Sequence, residues 1–81
     1  MNKQIQIYLN DILKNSTHIT KTISDYDHIK FHNNYGKQCE VIRCLEVIGE
    51  ASKRIGTANP AFIQDHPEIP WSLMSRMRDI L

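Results

Sequence analysis

Apolar residues recur at helical spacing, without a proline, through residues 39–55. On a wheel of about 100° per residue, they cover about half the circumference: Val41, Ile42, Cys44, Leu45, Ile48, Ala51 and Ile55. An arc that wide exceeds what one neighbouring helix covers. The pattern therefore predicts a central helix, from about Asn34 to Ile55, with partners on at least two sides. Gly49 lies at the edge of the arc and is expected to permit close approach of another backbone, and Gly56 is expected to end the helix.

A first helix is predicted over residues 3–24, with Asn2 as its N-cap. Its apolar stripe consists of Ile5, Tyr8, Leu9, Ile12, Ile19 and Ile23. A last helix is predicted over residues 71–81, where Arg76 and Arg78 fall on the two edges of the apolar side. That side consists of Trp71, Met74, Met77, Ile80 and Leu81.

The segments between these helices are polar or contain proline. Residues 25–34 predict a connection with one helical turn that places Ile29 and Phe31 on the core. Asn59 followed by Pro60 is typical of an N-cap and first helical residue, which predicts a short helix through about residue 65. The whole pattern predicts a small all-α antiparallel bundle, with three main helices and one short one, in a single domain spanning residues 1–81. Because the last amphipathic pattern is unfinished at Leu81, we expect the final part of the bundle to be missing.

Composition narrows the functional classes. The 81 residues carry ten basic and nine acidic side chains, for a net charge of +1. This balance argues against a large nonspecific nucleic-acid surface but leaves a local basic site open. Two cysteines are too few for a disulfide scaffold, so reduced thiols and a cytoplasmic location are expected. No apolar run approaches the roughly 18 residues of a membrane span, and the N-terminal residues lack the apolar block of a signal peptide.

Two pairs of side chains have spacings that can support chemistry. His28 and His32 stand four residues apart, a spacing that can bind a metal on a helix, but a third ligand is not nearby. Glu46 and Glu50 also stand one turn apart and could serve acid–base chemistry or bind a cation. We favour a solvated connection for the histidines and a solvated helix face for the carboxylates, and the sequence indicates no metal or cofactor.

Three motifs together resemble the HepT-like proteins, a helical toxin family within the HEPN superfamily. They are LEVIGEA at 45–51, PEIPW at 67–71 and MRDIL at 77–81. The resemblance covers essentially the whole chain. It implies an all-α bundle that forms a homodimer, often paired with a minimal nucleotidyltransferase (MNT-type) as antitoxin, and a toxin that is a metal-independent ribonuclease acting on RNA.

The family motif is an arginine, four to six residues, a histidine, one residue and often a tyrosine. Arg78 matches the arginine and is the implied catalytic residue, and Arg76 falls within the same spacing window as a second phosphate-binding residue. None of the four histidines follows Arg78, so none can be assigned to the motif, and we expect the 81-residue chain to be inactive or nearly so.

Two other functions are consistent with these residues. One is a non-catalytic helical module that dimerises or binds a nucleotidyltransferase. The other is nucleotide binding through Arg76, Arg78 and Lys53.

Overall fold

Five helices make up the computed structural model, which describes the backbone of residues 2–80 and the side chains of residues 2–76. They are α1 (Lys3–Asp25), α2 (His28–His32), α3 (Tyr35–Ala58), α4 (Pro60–Asp65) and α5 (Trp71–Ile80). No strand occurs in residues 2–80, so the predicted all-α class is confirmed. Within this part of the chain, no helix combines the length and apolar character needed to cross a bilayer.

Four of the helices begin at an Asn or Asp side chain that accepts a backbone N–H two or three residues later. The caps have N···O distances from 2.7 to 3.2 Å, and their residues are Asn2, Asp27, Asn34 and Asn59. Each such cap satisfies a donor that the first helical turn leaves unpaired, and it contributes about 1 kcal/mol. The predicted caps at Asn2 and Asn59 are therefore confirmed.

The predicted end of the central helix at Gly56 is wrong, because α3 continues to Ala58. No glycine in the described residues has a positive φ, so Gly56 does not form the left-handed cap that the prediction required. The helix ends instead at Asn59, which has φ −151° and ψ 83°. A residue that precedes a proline is disfavoured in the α region, and Pro60 supplies that constraint.

Helix α3 contacts all four other helices, which confirms the prediction of partners on at least two sides. Helix α1 runs antiparallel to it: His18 meets Glu40 at one end, while Tyr8 and Arg54 share a groove at the other. Trp71 begins α5 beside Ile55, and α5 packs extensively on α3, so it runs back along α3.

The core lies where α1, α3, α4 and α5 meet. Ile5, Ile55 and Trp71 form its buried centre, with exposed fractions of 1%, 0% and 7%. The indole N–H of Trp71 donates to the carbonyl oxygen of His66 at 2.9 Å, which lets a large aromatic ring be buried with its polar atom satisfied. Around this centre pack Tyr8, Leu9, Ile12, Phe62, Ile63 and Ile69.

The predicted burial is wrong at the opposite end of the bundle. Ile23 and Ile29 are 64% and 70% exposed, whereas Thr22 is buried. A single stripe assumes that α1 meets one neighbour along one line, but a helix that crosses its partner presents a different face at each end. Phe31 is half-buried, in agreement with the predicted turn that faces the core. Gly49 is buried on α3.

Candidate functional site

The two arginines proposed for phosphate binding both lie on α5. Arg76 is exposed, and its Nε donates to the carbonyl oxygen of Ser72 at 3.3 Å. It forms no ion pair among the side chains of residues 2–76. The side chain of Arg78 lies outside the described residues, although its backbone belongs to α5.

The register of α5 separates the positions of these two arginines. Trp71 is buried, and Met74 and Ser75 are half-buried, so these three mark the face of α5 that packs inward. Position 78 follows them by seven, four and three residues and therefore continues the same face, whereas position 76 falls on the outer face.

A groove of about 320 Å³ lies between α1 and α3, and we call it the α1–α3 groove. Its charged and aromatic lining consists of Tyr8, Asp11, Arg43, Glu46, Glu50 and Arg54. The sequence had placed Glu46 and Glu50 on a solvated helix face. Both are half-buried in the groove, and the part of the chain that the structure describes contains no group of three potential metal-ligating side chains.

Arg54 is held in place within the α1–α3 groove. Its Nε lies 2.9 Å from the Glu50 carboxylate, as the i,i+4 spacing favours. A hydrogen bond with Tyr8, followed by the charge of Glu50, raises the pKa of the Arg54 guanidinium. Arg54 therefore remains a positive charge beside Tyr8 of α1, and sequence spacing alone did not indicate that these two residues share a groove.

A second groove, of about 380 Å³, lies at the junction of α2 with the start of α3, and we call it the α2–α3 corner. Its lining consists of His28, Phe31, His32, Gln38, Val41 and Ile42. The Gln38 amide donates to the carbonyl oxygens of Phe31 and His32, which fixes α2 against α3. The sequence analysis missed this groove, although the alternation of rings and cations in HIKFHNNYGK is a signal that could have indicated it.

Polar contacts also join α1 to α3 near the corner. Glu40 lies 3.0 Å from Lys37 Nζ and 2.9 Å from His18 Nε2. Hydrogen bonds from Lys37 and then His18 lower the pKa of the Glu40 carboxyl. The ammonium of Lys37 also lies over the Tyr26 ring, 5.6 Å from its centroid.

Both cysteines are free thiols, in agreement with the predicted absence of a disulfide. Cys39 is exposed and Cys44 is buried, and burial raises the pKa of the Cys44 thiol. A buried neutral thiol behaves as a small apolar side chain, so Cys44 contributes to packing rather than to reactivity.

The fold and grooves define a small all-α protein in which the long central helix contributes to both grooves. The family model described as "Ribonuclease HepT-like" matches residues 12–81 of the chain. The chain belongs to this family, and the resemblance inferred from the three motifs is confirmed.

Several archaeal relatives are similar over nearly the whole chain. Two proteins of Methanocaldococcus jannaschii, each named "Putative RNase", are 37% and 41% identical over 79 and 80 residues. Each alignment covers 98% of this chain, and 70% and 66% of the respective relative. A protein of Thermococcus cleftensis named "Probable ribonuclease HepT" is 59% identical over 44 residues, covering 54% of this chain and 37% of its own length. The chain thus spans about two thirds of the length of the first two relatives. No solved structure matches it significantly.

Proposed function

We propose that the protein is a ribonuclease that cleaves RNA without a metal ion, with Arg78 as its catalytic arginine. The observation that carries the proposal is family membership over residues 12–81, together with the position of Arg78 in the family motif. The fold supports it, because residue 78 belongs to α5 and α5 packs on the central helix.

Each residue has a defined chemical task in this proposal. Metal-free cleavage of RNA requires a group that takes the 2′-hydroxyl proton and a cation that stabilises charge on the phosphorane. The planar guanidinium of Arg78 suits the second task, and Arg76 would bind a neighbouring phosphate from the outer face of α5. A histidine suits the first task because its ordinary pKa is near 6.5.

The 81 residues contain no histidine after Arg78, so we propose that this chain alone is inactive or nearly so. Loss of a general acid or base typically costs on the order of 10²–10⁴-fold in rate. We propose in addition that the chain forms a single HepT-like domain. In this proposal it acts in the cytoplasm as a homodimer, paired with an MNT-type nucleotidyltransferase antitoxin.

The test compares two forms of the protein in an RNA-cleavage assay with a labelled single-stranded substrate. The first is the 81-residue chain, and the second is the chain extended past Leu81 so that a His-x-Tyr follows Arg78 at the family spacing. We expect cleavage only by the extended form, and Arg78→Ala should lower its rate by about 10²-fold or more. Lys14→Ala, an exposed charge deletion on α1, is the control. Full activity of Arg78→Ala would refute the site assignment.

A non-catalytic interaction module is the second candidate, and one observation favours it. Ile7 and Leu13 on α1 are 55% and 66% exposed, which leaves apolar surface of α1 available to a partner. Sedimentation equilibrium tests this role. A monomer at high concentration would contradict self-association, and a dimer without cleavage by the extended form would favour the interaction module.

A further inference from the structure

We propose that the α2–α3 corner binds single-stranded RNA, with one unstacked base seated in its groove. The inference rests on the proposed function and adds a substrate-binding surface to it. The lining of the corner comes from α2 and the first half of α3, whereas Arg78 belongs to α5.

Aromatic and imidazole rings are concentrated at this corner. Phe31 forms an apolar wall of the groove together with Val41 and Ile42, while the rings of His28 and His32 lie at its exposed margin. Stacking on such rings is the main sequence-tolerant contact that proteins make to unpaired bases.

Tyr35 adds a fourth ring on the same side of α3. It stands seven residues before Ile42 and therefore shares that residue's helix face, and it is 79% exposed. Tyr35 is not among the lining residues, but an exposed tyrosine ring on the helix face that carries Gln38 and Ile42 offers a platform for a second base. The groove volume of about 380 Å³ is near the lower end of small-molecule sites, which suits one base rather than the side of a helix.

The platform is ordered before any ligand arrives. The Gln38 amide nitrogen donates to the carbonyl oxygen of Phe31 at 3.0 Å and also to that of His32, so the last turn of α2 is anchored to α3. Asp27 caps the start of the same helix through the Lys30 N–H at 2.8 Å. Because both ends of α2 are tied, binding does not have to order this segment, and less affinity is lost to entropy.

Positive charge is also concentrated in this part of the chain. Residues 28–43 carry Lys30, Lys37 and Arg43 against the single carboxylate of Glu40, a net charge of +2 in a chain whose total is +1. Lys37 forms an ion pair with Glu40. The carboxylate of Asp27, which immediately precedes the segment, caps α2. Lys30 and Arg43 are exposed and form no ion pair within residues 2–76. Arg43 lines the α1–α3 groove beside Asp11 and Glu46, so Lys30 on α2 is the cation that the corner offers to a phosphate. Such charge complementarity favours RNA.

The test measures the binding of a 12-nucleotide single-stranded RNA of mixed sequence, labelled at its 5′ end, by fluorescence anisotropy at several salt concentrations. Tyr35→Ala removes an exposed ring and should raise Kd about fivefold or more, because stacking on one aromatic side chain contributes about that much. Lys30→Ala should weaken binding and reduce the salt slope by about 0.7, the value for one phosphate contact on a single strand. Leu13→Ala and Lys14→Ala, exposed apolar and charge deletions on α1, should leave Kd and slope unchanged.

The outcomes separate this inference from the proposed ribonuclease activity. If Tyr35→Ala weakens binding while no form of the protein cleaves RNA, the corner is an RNA site and the proposed function fails. If the extended form cleaves RNA and Tyr35→Ala binds as tightly as the wild type, the proposed function stands and the corner is not an RNA site. Absence of RNA binding by the wild type would also overturn the inference. So would loss of self-association in Tyr35→Ala with unchanged RNA affinity, which would assign the corner to a protein contact.

Discussion

Replacement of Ile55 by alanine tests how much of the stability depends on the core where four helices meet. Ile55 is 0% exposed and packs in the same buried cluster as Ile5 and Trp71. Removing three buried carbon atoms from such a position costs about 2–5 kcal/mol, from lost transfer free energy and the cavity that remains. An 81-residue domain has a total stability of roughly 4–12 kcal/mol, so this one change should remove a large share of it.

The assay is urea unfolding followed by circular dichroism, with Ile23→Ala as the matched control. Ile23 also lies inside a long helix but is 64% exposed, so its replacement should change the free energy of unfolding by no more than about 0.5 kcal/mol. Both substitutions carry the same gain of a few tenths of a kcal/mol in helix propensity, and the difference between them isolates burial. Ile55→Val provides an intermediate step of about 0.5–1.5 kcal/mol if the alanine variant does not fold.

Equal effects of Ile55→Ala and Ile23→Ala on the free energy of unfolding would refute the reasoning. Such a result would mean that the cluster of Ile5, Ile55 and Trp71 does not form the stability-determining core of the protein in solution.

Two further changes test polar contacts that organise the helices. Lys37 and His18 lower the pKa of the Glu40 carboxyl in the folded state. The carboxylate therefore stabilises the protein at pH values above its unfolded pKa, near 4.5, and this contribution is lost as the pH falls through the lower folded pKa. Glu40→Gln should therefore be less stable than the wild type at neutral pH and lose less stability between pH 5 and pH 3, as followed by thermal unfolding. The same dependence of stability on pH in both proteins would contradict a stabilising role of the Glu40 carboxylate. Asn59→Ala should cost about 1 kcal/mol in urea unfolding by removing the α4 cap, whereas Asn59→Asp should retain most of the stability, and equal losses would show that the cap contributes nothing.

Much of the helix pattern could be predicted because it depends on neighbours in the chain. Asn2, Asn59 and Pro60 act on the donors and dihedral angles of the residues that follow them, so their effects are visible in the sequence. The end of α3 was predicted wrongly for a related reason. A glycine permits a left-handed cap but does not require one, so Gly56 stays helical until the proline at position 60 disfavours continuation.

The features of the candidate sites also differ in whether the sequence could predict them. The position of Arg78 in a family motif could be recognised from the sequence, whereas the contact of Arg54 with Tyr8 could not, because those residues are 46 positions apart. The α2–α3 corner was also missed, because its lining comes together only when α2 packs on α3. The hydrogen bond from Gln38 to the carbonyl oxygen of Phe31 holds this packing.

The sequence by itself determined the all-α class, the bounds of most helices, the caps at Asn2 and Asn59, and membership of the HepT-like family. These follow from helical periodicity, from side chains acting within one turn, and from motifs read along the chain. Only the tertiary structure decided which apolar residues are buried, as Ile23 and Ile29 show, and which charged groups face each other across α1 and α3. The physical reason is that burial and ion pairing depend on the angles at which helices cross, and those angles are set by packing between residues distant in sequence.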